Sequence, residues 1–195
     1  MVNIAIILGS SRPSRFSVQP GQWIYDRARA QFGDKADFTL VDLKEVDLPF
    51  FDEPVSPAMA PSVNEHSLAW QQQVAGYDGF IFIVAEYNHS YSAVLKNAID
   101  FSWHEWGYKP ASFVSYGSAA GGARAVEHLR QVAAEVRMYD LRDQLLLPHY
   151  YGNLDDKGQY KFSESDEKLA DAIVDANIFW AKTMKPAREA LAATQ

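Results

Sequence analysis

The stretch IVAEYNHSYSAVLKNAIDF, Ile83 to Phe101, ends an apolar run that starts at Gly79 (GFIFIVA) and stops at Ala85. Five consecutive side chains able to hydrogen-bond follow, Glu86, Tyr87, Asn88, His89 and Ser90, and a helix-like pattern begins near Ala93. A run apolar on both faces is what a parallel strand covered on two sides requires. The order strand, polar loop, helix is one βα unit. The fold then depends on whether the rest of the chain repeats it.

The rest of the chain does repeat it. Val2 to Leu8, Phe38 to Leu43, Ala111 to Tyr116 and Gln144 to Pro148 are further short apolar runs, most of them ending at turn-forming or polar residues. Helical spacing fills the intervals. Val126, Leu129, Val132 and Val136 recur at three and four, as do Leu169, Ile173, Ala176 and Trp180, with Ser165 before Asp166 and Glu167 as the expected start of the last helix. Five β and five α patterns in alternation predict a doubly wound α/β domain. With 195 residues, one domain with a full core is expected over the whole chain, 1–195. The Pro-rich segment Leu48 to Ser62 is the longest loop, and a loop that long in a compact domain is usually functional or at an interface.

Composition narrows the function. Eighteen basic against 25 acidic residues give a charge of −7, with no basic run, so neither nucleic acid nor an anionic membrane is an expected partner. No apolar segment approaches the roughly 20 residues of a membrane span, and Met1 leads straight into a strand pattern, so a cytoplasmic protein is expected. The chain has no cysteine, so redox chemistry would need a bound cofactor. The histidines are scattered without metal-ligand spacing, and no metal site is predicted.

In a doubly wound sheet, ligands bind outside the carboxyl ends of the strands, next to the first strand. Three loops lie there. The first, Gly9 to Ser17, offers hydroxyls on Ser10, Ser11, Ser14 and Ser17, cations at Arg12 and Arg15, and a helix start at about Val18. It reads either as an anion cradle or as a serine-rich cap with surface arginines; its place after the first strand favours phosphate. It matches neither phosphate-loop nor dinucleotide glycine signature. The second loop is Glu86 to Ser90. The third runs from Ser115 and Tyr116 through Gly117, Gly121 and Gly122, whose glycines would let backbone approach a flat ligand. Together the three fit a mononucleotide with a large planar head.

These residues resemble a known family. Gly9-Ser10-x-Arg12-x-x-Arg15, then Glu86-Tyr87-Asn88-x-Ser90 with Leu95-Lys96-Asn97-Ala98-Ile99-Asp100, then Ser115-Tyr116-Gly117 with Gly121-Gly122, is similar to the NADPH-dependent FMN reductases of flavodoxin-like fold. The resemblance implies a three-layer sandwich with a five-stranded parallel sheet of order 2-1-3-4-5, FMN held without a covalent link, and NADPH or NADH as co-substrate. By that carry-over Ser10, Arg12, Arg15, Ser17 and Val18 serve the phosphate side, and Glu86, Tyr87, Asn88, His89 and Ser90 line the ring. Ser115, Tyr116, Gly117, Gly121 and Gly122 approach its other edge. No catalytic side chain is implied, because hydride transfer at the flavin needs no protein nucleophile, and Glu86 and Lys96 are assigned to binding or structure. The acceptor is expected to be a small molecule such as a quinone; the alternative is a flavodoxin-like electron carrier serving a protein partner.

Two departures stand out: Ala85 and Ser92 occupy positions where the family commonly has proline. A less pre-organised flavin loop is expected, offset in part by Ser92 as a helix cap. The aromatic segment Phe101 to Pro110 reads either as core or as the surface of a homodimer or homotetramer. Ile178 and Phe179, off the last helix's apolar stripe, add to the expectation of an oligomer.

Overall fold

The computed structural model describes residues 1–193. In chain order the elements are β1 (Val2–Gly9), α1 (Val18–Phe32), β2 (Ala36–Asp42), α2 (Leu43–Val46), α3 (Glu65–Ala75), β3 (Gly79–Ala85), α4 (Ala93–Asp100), β4 (Pro110–Tyr116), α5 (Ala123–Glu135), β5 (Tyr139–Leu147) and α6 (Glu164–Ala192). All strand pairings are parallel and the sheet order is β2-β1-β3-β4-β5. Flavodoxin-like topology is therefore borne out.

Alternation along the central strands divides the core between two faces. Ile4, Ile6 and Leu8 of β1 pack with Ile24 and Ala28 of α1 and with Ile173, Val174 and Ile178 of α6. Ala5 and Ile7 face the other way, toward Trp70 and Val74 of α3, Leu95 and Ile99 of α4, and Val126 and Leu129 of α5. Every residue of β3 and β4 is buried, which is why both read as continuous apolar runs. Phe80, Phe82 and Phe113 form the aromatic centre of the second face, and each contributes roughly 1.5–3 kcal/mol by leaving water.

Three expectations need correction. β5 begins at Tyr139, five residues before Gln144, because an edge strand exposed on one side carries Tyr139, Arg142 and Asp143, and its register with β4 slips between Ala111 and Phe113. α6 starts after Ser163 rather than Ser165: the Ser163 hydroxyl accepts from the Asp166 amide at 3.2 Å, and the Asp166 carboxylate accepts from the Ser163 amide at 2.8 Å, a capping box. The buried stripe of α6 is accordingly Ala170, Ile173, Val174, Asn177, Ile178 and Ala181, so Ile178 already has cover within its own chain. Phe179, 59% exposed, does not.

The aromatic segment resolves mostly as core. Phe101 and Trp106 are fully buried, and the Trp106 indole donates to the Ile99 carbonyl at 3.1 Å. Trp103 is half-buried beneath the Arg137 guanidinium, 4.4 Å from its ring centre. The Leu48 to Ser62 segment stays irregular and exposes Phe50 and Met59.

Sheet register places the candidate site. Gly9 pairs beside Val84, and Ala85 beside Tyr116, so the loops after β1, β3 and β4 leave the sheet side by side. Among the described residues no helix is long and apolar enough to cross a membrane.

Candidate functional site

The loop after β1 is tied down at both ends. The Ser10 hydroxyl lies 2.8 Å from the Tyr87 hydroxyl, and the Arg15 amide donates to the Arg12 carbonyl at 3.1 Å. Asp42, at the carboxyl end of β2, pairs with the Arg15 guanidinium, so Arg15 shapes the loop from below. Arg12 stays exposed. Ser17 occupies the cap position of α1 and is fully buried, yet its side chain makes no capping hydrogen bond; its hydroxyl neighbours the Tyr116 phenol without a well-aligned bond to it. A serine in that position ordinarily accepts from the helix amides. Within the first turn, Gln19 already donates its amide to the Phe16 carbonyl at 2.9 Å and Pro20 carries no N–H, so it is the Val18 amide that remains open to an outside acceptor. Val18 follows, exposed. Close docking of α1 on the sheet depends on Gly21, where a Cβ would collide with a Leu8 methyl.

The loop after β3 is a strained reverse turn. Asn88 and His89 both have positive φ, 50° and 70°, and the Tyr87 and Ser90 backbones exchange hydrogen bonds of 2.8 and 3.1 Å across them. Two successive left-handed residues are the signature of a tight hairpin turn that usually recruits Asn-Gly; His at the second position carries strain. Neighbouring elements hold it in place. The Glu86 amide donates to the Tyr116 carbonyl at 3.0 Å, Arg124 of α5 pairs with the Glu86 carboxylate, and the His128 ring lies 3.1 Å from the Ser90 hydroxyl. Ser92 caps α4 through the Leu95 amide and donates to the Gly9 carbonyl at 2.6 Å. Cross-links from α5 and β1 thus do the work that fixed proline φ angles would do at Ala85 and Ser92.

After β4 the backbone passes through Gly121 and Gly122 at φ of 57° and 88°. A Cβ on Gly122 would lie 2.6 Å from the Ser115 Cβ, and the Ser115 hydroxyl donates to the Gly121 carbonyl at 2.9 Å. That contact folds the loop back over the end of β4 and leaves Gly117 against Glu86. The Tyr116 ring sits edge-on to Phe16, which stacks on Tyr150 with ring centres 4.4 Å apart and meets Tyr160 at 5.5 Å. Burial raises the Tyr116 phenol above its ordinary value, so it stays protonated at neutral pH.

The structure thus gathers Ser10, Arg12, Arg15, Ser17 and Val18 on one loop, Glu86 to Ser90 on the second, and Ser115, Tyr116, Gly117, Gly121 and Gly122 on the third, all at one sheet edge. Lys96 turns away and pairs with Asp100 at 2.7 Å. Sequence reasoning passed over Asp42, Arg124, His128, Phe16 and the segment after β5. Arg124 and His128, four apart on the first turns of a helix that follows two glycines, share one helix face, and that spacing was the available signal. The segment after β5 is locked to α1 by Gln19, whose side chain donates to the Gly158 carbonyl and accepts from the Tyr160 amide, both at 2.7 Å. Among the described residues no cluster of His, Asp and Glu suits a metal ion.

The family model for NADPH-dependent FMN reductase matches residues 2–152. An NAD(P)H-dependent FMN reductase of a Nectria species is 33% identical over 156 residues, 78% of each chain. A 2-hydroxy-1,4-benzoquinone reductase of a Burkholderia species is 28% identical over 188 residues, covering 93% of this chain and 97% of that one. Among solved structures, the flavoenzyme NAD(P)H:acceptor oxidoreductase FerB of Paracoccus denitrificans shares the fold with a TM-score of 0.71 at 23% identity, over 94% of this chain and 99% of that one.

Proposed function

The chain belongs to the NADPH-dependent FMN reductase family, and from that premise we propose that its three loops hold FMN and that the enzyme passes reducing equivalents from NADPH or NADH to a small acceptor such as a quinone. One observation carries the reading. Of the six buried side-chain polar atoms without a well-aligned hydrogen bond among the described residues, four lie at this edge: Arg15 Nε, Glu86 Oε2, and the neighbouring hydroxyls of Ser17 and Tyr116. Buried polar atoms are ordinarily paired, and orphans gathered in one place mark a site whose partner is a ligand.

The residues fit a flavin mononucleotide. Ser17, Arg12 and the Val18 amide that opens α1 suit one terminal phosphate, with Ser10 and Arg15 fixing the shape of that loop. The Asn88–His89 turn presents main-chain groups and the Tyr87 ring, while Gly117, Gly121 and Gly122 leave backbone bare on the other side. Bound FMN supplies the hydride chemistry between nicotinamide and acceptor. The chain's own part is to bind, orient and exclude water, and proximity provides the acceleration. The quinone reductase among the relatives supports a quinone as acceptor, and reduced nicotinamide as co-substrate fits a cytosolic setting.

A homodimer or homotetramer belongs to the same proposal. Phe50, Met59 and Val63 are 85, 83 and 66% exposed in the segment before α3, an apolar group in need of cover; light scattering at micromolar protein tests it, and a monomer would refute it. For the cofactor, purified protein incubated with FMN or FAD, desalted and then denatured should release FMN. Retention of FAD with no affinity for FMN would overturn the reading.

A further inference from the structure

Resting on the FMN reading above, we infer that Glu86 and Arg124 are a charge-balancing pair that sets the reduction potential of the bound flavin. Glu86 is the first residue of the loop after β3; Arg124 is the second residue of α5, just past Gly121 and Gly122. The pair therefore joins the two loops assigned to the ring. Its members differ sharply in environment: the Glu86 side chain is 4% exposed and that of Arg124 43%. Arg124 Nε donates to Glu86 Oε1 at 2.6 Å, while Oε2 is buried without a partner.

An architectural salt bridge would not be built this way. A pair with one member this open contributes little to stability, and a carboxylate oxygen left bare in a dry setting is costly. Its cost is explained if the charge acts on a neighbouring group. Two electrons and one proton convert the neutral flavin ring to an anion. A buried carboxylate nearby repels that anion, and the Arg124 guanidinium, in direct contact with the carboxylate, offsets part of that repulsion. Arg124 is thus a positioning residue that acts through Glu86, and no other cation contacts this carboxylate among the described residues.

The test is a dye-equilibrated redox titration of FMN-loaded protein, with FMN dissociation constants for both oxidation states and urea unfolding of the apo form alongside. Arg124→Gln should weaken binding of reduced FMN about tenfold more than that of oxidised FMN, a fall of about 30 mV for a two-electron couple. Glu86→Gln should raise the potential, the double variant should return close to wild type, and Arg124→Lys should keep most of the wild-type value. A purely structural bridge would instead lower apo stability and weaken both oxidation states equally, and that result overturns the inference. Should Arg124→Gln fail to fold, Glu86→Gln and Arg124→Lys decide it alone. A wild type that binds no FMN removes the FMN reading and the inference together; a wild type that binds FMN, with variants of unchanged potential, removes the inference alone.

Discussion

Replacing Ser17 by Ala separates a binding hydroxyl from a structural one. The residue stands at the cap of α1, fully buried, with no capping bond and its Oγ beside the Tyr116 phenol. In the apo protein the hydroxyl's neighbour is the Tyr116 phenol, so the substitution costs the fold at most that one contact, about 0.5–1.5 kcal/mol. With FMN present the loss is larger. A hydrogen bond to a charged phosphate contributes about 1.5–3 kcal/mol, so the dissociation constant should rise roughly 10- to 150-fold. Urea unfolding of the apo form and fluorescence titration with FMN measure the two effects on the same sample. Apo stability that changes by no more than that single contact while affinity falls is the expected pattern. A less stable apo form with unchanged affinity would show that Ser17 belongs to the helix and not to the ligand.

Three further outcomes follow from the same geometry. Arg12→Ala should weaken FMN binding on the order of tenfold or more, and Arg15→Ala, whose guanidinium is already engaged by Asp42, by less; titration of both variants orders them. Trp106→Ala should cost about 3–5 kcal/mol in urea unfolding, since the ring is fully buried among Phe80, Phe82 and Trp70, and the loss should be the same at all protein concentrations. Lys109, buried with its ammonium on the Val74 and Ala75 carbonyls at 3.0 and 3.3 Å, has its pKa lowered by burial to about 7. The unfolded chain therefore holds that proton up to about 10.5 while the folded one releases it, so this group's contribution to stability rises between about pH 7 and 10.5. Lys109→Met should flatten that slope in pH-dependent unfolding.

Legibility in the sequence tracked burial. β1, β3 and β4 could be read because both faces are covered and nothing polar interrupts them. β5 could not, because Tyr139, Arg142 and Asp143 face solvent at the sheet edge, and edge exposure erases the apolar signal. In α6 the stripe was misread by one position: a polar Asn177, fully buried with its amide on the Phe80 carbonyl and the Ser112 hydroxyl at 2.9 Å each, sits inside it and Trp180 outside. The three site loops were visible as clusters of hydroxyls, amides and glycines at strand ends. Their supports were not, because Asp42 meets Arg15 from 27 positions away, and Arg124 and His128 reach back 38 positions to Glu86 and Ser90. Only the fold brings such partners together.

The central claim is that this sheet edge binds FMN and that the nicotinamide nucleotide reduces it there. The direct test is the anaerobic absorbance spectrum of FMN-loaded protein before and after one equivalent of NADPH, or of NADH, followed by one equivalent of a simple benzoquinone. Bleaching of the flavin bands by the nucleotide and their full return with the quinone is the expected result. Protein that retains no FMN, or retains FMN that neither nucleotide bleaches, would contradict the account.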